Sequence, residues 1–151
     1  MSITTNTQQL VQDRIKSQPL LVWYRMLRVV KLGINHISPS FTDIALSRSQ
    51  FDLLSVVATD GGRTQKVYAE RMTVTKGNVT QQVQQLQKLG LVARRKEGRN
   101  VYLHLTDAGW QKLAAVIPPH DELMNEFFST LTPEDISQLM RIIRKLERPL
   151  K

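Results

Sequence analysis

The chain has 151 residues, 41% of them hydrophobic, which is enough for one compact domain with a modest core. It contains no cysteine, so disulfides, thiolate metal sites and cysteine redox chemistry are excluded. The formal charge is +8, and residues 61–104 carry nine Lys or Arg against two Glu, a concentration suited to a polyanion and above all to nucleic acid.

Met1 to Gln9 is polar and lacks the pattern of a secretory signal. The most apolar run, Leu20 to Tyr24, is interrupted by Arg25 and Arg28, far below the roughly 20 residues that cross a bilayer. A cytoplasmic protein with no membrane partner is expected. Apolar spacing predicts a helix over about 18–36, with Ser17 as its cap and Pro19 near its start, and a separate turn over 8–16. Ser47-Arg48-Ser49-Gln50 has the form of a capping box that opens a second, mostly buried helix ending before Gly61-Gly62.

Thr64 then caps a short helix reaching about Met72, and Thr75 opens another that stops at Gly90. Two short helices joined by three or four residues predict a helix-turn-helix. Past Gly90 the period changes to two: Val101, Leu103 and Leu105 alternate with Tyr102 and His104, and Leu91 to Arg95 can pair with them across a tight turn, Lys96-Glu97-Gly98-Arg99. His104 is expected on the outward, solvent face. Thr106 caps a helix that kinks at Pro118-Pro119 and resumes to Phe127; Thr132-Pro133-Glu134-Asp135 starts the last one.

On the helix after Thr75, Val79, Val83, Leu86 and Leu89 share one face, while Gly77, Thr80, Gln81, Gln84 and Lys88 share the opposite one. The first face packs and the second reads. Glutamine can bond two atoms of an adenine edge, and threonine can meet a thymine methyl, so such a helix suits the major groove. Gly77 allows close approach to the duplex. The neighbouring hairpin carries Arg94, Arg95, Lys96 and Arg99 near its tip, the arrangement of a winged helix with arginine available to a narrow minor groove. Glu97 is expected to orient Arg99 in a bidentate pair.

The run Thr75-Lys76-Gly77-Asn78-Val79-Thr80, then Leu86-x-x-x-Gly90-Leu91-Val92, Arg94-Arg95, an acid-x-Arg pair, and Leu105-Thr106-x-x-Gly109 resembles the signature of the MarR family of bacterial winged helix-turn-helix regulators. The wing turn is shorter than is usual there, and Glu97 replaces the customary aspartate. The resemblance implies a mainly α fold with a small β-hairpin wing: an amino-terminal helical part of a dimerisation region over 1–45, a DNA-binding lobe over 46–106 and closing helices over 107–151. It implies a homodimer on double-stranded DNA with a pseudo-palindromic operator, repression, and release by a small apolar or phenolic effector. Thr75, Lys76, Gly77, Asn78, Thr80, Gln81 and Gln84 are the expected contacts of the recognition helix, and Arg94, Arg95, Lys96 and Arg99 those of the wing. Trp23, His36 and His120 are candidates for an effector pocket.

No phosphate-cradling glycine loop, nucleophile elbow or metal-ligand helix is present, so no enzyme, cofactor or metal is expected. His36, His104 and His120 stand without a second ligand at metal spacing. The alternative function is a winged helix that serves as a protein-interaction module without sequence-specific DNA binding.

Overall fold

The structure, a computed structural model, describes residues 2–148. Two compact units divide the chain, residues 1–37 and 38–151. The first comprises α1 (Ser2–Ile15) and α2 (Gln18–Ile37). Residues 8–16 therefore belong largely to a helix and not to a separate turn. The polar run before Leu10 carries no apolar period, but Gln9 donates to Asp13 one turn later, at 3.1 Å, a pairing that supports a helix. Between the two helices, the Leu21 amide returns to the Ser17 carbonyl, so Pro19 falls in the first turn of α2, where its missing N–H costs nothing. Most of α2 is exposed, including Trp23, Leu27 and Val30.

The second unit opens with a 3-10 segment (Ser38–Ile44) and continues with α3 (Arg48–Asp60), β1 (Arg63–Thr64), α4 (Gln65–Met72), α5 (Lys76–Lys88), β2 (Val92–Glu97), β3 (Asn100–Leu105), α6 (Asp107–Phe128) and α7 (Pro133–Glu147). The capping box of α3 forms as expected: Ser47 Oγ accepts from the Gln50 amide, and Gln50 Oε1 accepts from the Ser47 amide. Leu53, Leu54 and Val57 of α3, Tyr68 and Ala69 of α4, Val79, Val83 and Leu86 of α5, Leu103 of β3, and Leu113 and Val116 of α6 make the core. Tyr68 is fully enclosed, and its phenol oxygen accepts from the Arg63 amide at 2.9 Å, which ties β1 to α4. Burial pushes its phenol pKa up, partly offset by that hydrogen bond.

The sheet has three antiparallel strands in the order β1-β3-β2, so the expected hairpin has one further, two-residue strand beside it. The turn between β2 and β3 is only Gly98-Arg99, with Gly98 at φ 59° and Glu97 paired to Asn100. Glycine at positive φ in the first of two loop positions is the requirement of a type II′ hairpin. The wing base is welded to α6 by Thr106, whose hydroxyl donates to the Gly90 carbonyl at 2.6 Å and accepts from the Gly109 amide at 3.0 Å. A Cβ at Gly109 would run into the Leu91 carbonyl, so this approach admits only glycine. Helix α6 continues through Pro118-Pro119 as one α-helix with both prolines inside it. No residue of α7 is buried.

Candidate nucleic-acid interface

Helix α5 is built by its two ends and one face. At the start, Thr75 Oγ1 accepts from the Asn78 amide at 3.2 Å, so its side chain is occupied in capping. At the end, Gly90 adopts φ 69° while its amide and that of Leu91 return to the carbonyls of Gln87 and Leu86, the Schellman arrangement. Val79, Val83 and Leu86 are buried. Leu89 is not; it stands at the C-cap and is 54% exposed, which corrects its expected place on the packing face. Lys76, Gly77, Asn78, Gln81, Gln84 and Lys88 all reach the surface. A Cβ at Gly77 would meet nothing closer than Thr75 Oγ1 at 3.9 Å, so nothing within the chain demands glycine there.

Thr80 is half-buried, and its hydroxyl lies 2.8 Å from the Lys76 carbonyl and 3.2 Å from Gln65 Oε1 on α4. A hydroxyl has one proton to donate. That proton is committed within the protein, and the methyl is the part of Thr80 left for apolar contact.

In the wing, side chains of β2 alternate between two faces. Arg94 shares a face with buried Val92, and Arg95 shares the other with Glu97. The ion pair that Glu97 makes is with Arg95, at 3.2 Å, and not with Arg99 as expected. The two-residue turn is the reason: Glu97 ends β2, while Arg99 lies beyond the reversal. Arg94 and Arg99 instead meet Lys66 and Lys76 around one cleft of about 380 Å³, whose walls also carry Thr64, Gln65 and Asn100. Lys96 stays exposed on the strand leading to the tip. Acids pair with Lys66 (Glu70), Arg71 (Asp60) and Arg95 (Glu97); among the described residues no ion pair engages Lys76, Lys88, Arg94, Lys96 or Arg99. Five cations thus keep their charge free for an anionic partner.

Residues 46–100, the segment from the α3 cap to the wing tip, match the MarR family. The chain has the winged-helix fold of MarR-family regulators. An uncharacterised HTH-type transcriptional regulator of Bacillus cereus is 28% identical over 130 residues, covering 85% of this chain and 88% of that protein. Among solved structures, Sco3205 of Streptomyces coelicolor, a MarR-family regulator in complex with DNA, is 25% identical with a TM-score of 0.78, over 87% of this chain and 86% of that one. BpsR of Bordetella bronchiseptica, whose DNA binding is regulated by 6-hydroxynicotinic acid, shares the fold with a TM-score of 0.76 at 18% identity, over 84% of this chain and 98% of that one.

The candidate pocket residues lie in both compact units. Trp23, 54% exposed, and half-buried His36 are on α2. His120 of α6 belongs to a ring cluster: its centroid is 4.7 Å from Phe51 and 5.6 Å from Phe41, and its Nδ1 is 3.4 Å from Ser40 Oγ. Asp52 is near enough to feel it. Burial raises the Asp52 carboxyl above its ordinary range, while Arg48 and His120 pull it back.

His104 departs from expectation. It is half-buried over the turn before β1, its Nε2 is enclosed, and a Cβ at Gly62 would strike its ring. Among the described residues no group of three metal-binding side chains occurs, and no helix is long and apolar enough to cross a membrane. The cleft residues not foreseen as site residues are Thr64, Gln65, Lys66, Asn100 and Val101. Lys66 was visible within the basic segment, but its place in the cleft depends on β1 pairing with β3.

Proposed function

We propose that this chain is a MarR-family regulator that binds double-stranded DNA as a homodimer and represses transcription from a pseudo-palindromic operator, with release by a small apolar or phenolic ligand. One observation carries the reading: a helix face of Asn78, Gln81 and Gln84 stands beside a cleft where Lys66, Lys76, Arg94 and Arg99 converge without an acid on its walls. Amide side chains read base edges, and converging cations hold the backbone, so the two features supply specificity and affinity respectively. The DNA-bound form of Sco3205 supports the same use of this fold.

Dimerisation is inferred from the terminal segments 1–45 and 107–151. The apolar side chains Leu139, Ile142, Ile143 and Leu146 of α7 and Trp23, Leu27 and Val30 of α2 are all exposed. Apolar surface of this extent marks an interface. A two-fold axis would set two recognition helices in successive major grooves, about 34–36 Å apart, and a protein of this kind works in the cytoplasm where the DNA is. Regulation of BpsR by 6-hydroxynicotinic acid supports a ligand, with the His120 ring cluster of the second unit as the candidate to receive it.

The test is selection of bound fragments from genomic DNA, followed by affinity measurement against salt, with and without candidate phenolic ligands. The expected result is an inverted repeat bound with a steep salt dependence and weakened by a ligand. Binding to a protein partner with no preference among duplexes overturns the DNA reading in favour of an interaction module.

A further inference from the structure

Gln50 is 9% exposed, and both ends of its amide are in use. Its Oε1 accepts from the Ser47 amide at 2.8 Å in the α3 capping box, and its Nε2 donates to Gln85 Oε1 on α5 at 3.1 Å. The backbone N–H of Ser47 needs an oxygen, so the amide of Gln50 can point only one way, and Gln85 must accept. At about 100° per residue, Gln85 lies on one flank of the face that carries Gln81 and Gln84, and Thr80, held by Gln65, lies on the other.

The packing of Val79, Val83 and Leu86 holds α5 against the lobe, but apolar contact is non-directional. A rotation of about 20° carries a side-chain tip, about 5–6 Å from the helix axis, through about 2 Å. That displacement breaks a hydrogen bond and shifts a base contact by the same amount.

We propose that Gln50 is a positioning residue for DNA reading: through Gln85 it fixes the rotation of α5 about its own axis, and with it the base edges that Gln81 and Gln84 meet. The proposal rests on the DNA reading above. It assigns specificity to a buried side chain on a different helix from the recognition helix.

The experiment uses the full chain and the selected operator beside a scrambled duplex. Gln50→Met and Gln85→Met each remove the bond at nearly constant volume, and the double variant removes it once. Each single variant should lower the ratio of operator to scrambled affinity by about fivefold, the worth of one neutral hydrogen bond, with the scrambled affinity unchanged. The double variant should lose no more than the worse single one. Ser47→Ala weakens the same cap while leaving the Gln50–Gln85 bond, so it should lower Tm and keep the ratio.

Additive losses in the double variant would mean that Gln85 contacts DNA by itself, and they overturn the proposal. So does a falling Tm with an unchanged ratio in Gln50→Met and Gln85→Met. A wild-type chain that prefers no sequence overturns the DNA reading and this proposal with it, whereas a wild type that discriminates, with Met variants that discriminate equally, overturns the proposal alone.

Discussion

Arg95 Nε and Glu97 Oε1 stand 3.2 Å apart on one face of β2, both side chains more than half exposed. The pair holds one wing cation in place and cancels its charge at long range. Glu97→Gln is expected to release Arg95, steepening the salt dependence of non-specific DNA binding by about one phosphate contact, a change of about 0.9 in slope. Discrimination between operator and scrambled DNA should fall. An unchanged slope in a salt titration would show that Arg95 does not approach the duplex.

Arg99 contributes its charge from the other side of the turn, in the cleft with Lys66, Lys76 and Arg94. Arg99→Ala should weaken binding to operator and scrambled duplex and reduce the salt slope by about 0.9. A loss confined to thermal stability, with the slope intact, would reassign Arg99 to the hairpin turn.

Gln81 is exposed in the middle of the reading face. Gln81→Ala should cost about 1–3 kcal/mol of operator affinity and little of the non-specific affinity, because an amide bonded to a base edge is lost and no charge changes. Equal losses on both duplexes refute the base contact.

Helix α7 buries none of its residues within one chain, yet Leu139, Ile142, Ile143 and Leu146 repeat along it. Leu139→Glu with Ile143→Glu places two charges on that face at a spacing of four residues. A folded monomer that has lost tight operator binding is expected, measured as mass in solution and affinity together, since one winged helix offers about half the contacts of a specific complex. A variant that stays dimeric places the interface elsewhere.

Asp135 caps α7 with Thr132: the Thr132 amide and hydroxyl both donate to its Oδ2 at 3.0 Å. These bonds, the backbone one first, hold its carboxyl below the usual carboxylate range. A depressed folded pKa contributes stability above the unfolded value of about 3.9, and that contribution is lost as pH falls through the lower, folded value. Asp135→Asn keeps an acceptor and removes the titration, so its Tm should fall less than that of the parent between about pH 5 and pH 2. Parallel pH profiles would show that the cap carries no charge-dependent part.

What the sequence alone determined was the set of features built from neighbours. The Ser47, Thr75 and Thr106 caps and the stop at Gly90 all depend on residues within a few positions of one another, and each stands where its local pattern placed it. Tertiary structure decided the rest. Pairing of β2 with β3 extends through Glu97 and Asn100, so Glu97 shares a strand face with Arg95 while Arg99 lies in the reversal. Strand β1 exists because β3 passes beside it, and without that pairing Lys66 has no reason to share a cleft with Arg99. The Gln50–Gln85 bond joins two helices that are separate in sequence. A periodic pattern reports which side of an element is apolar; which distant polar group waits there is fixed only when the elements pack.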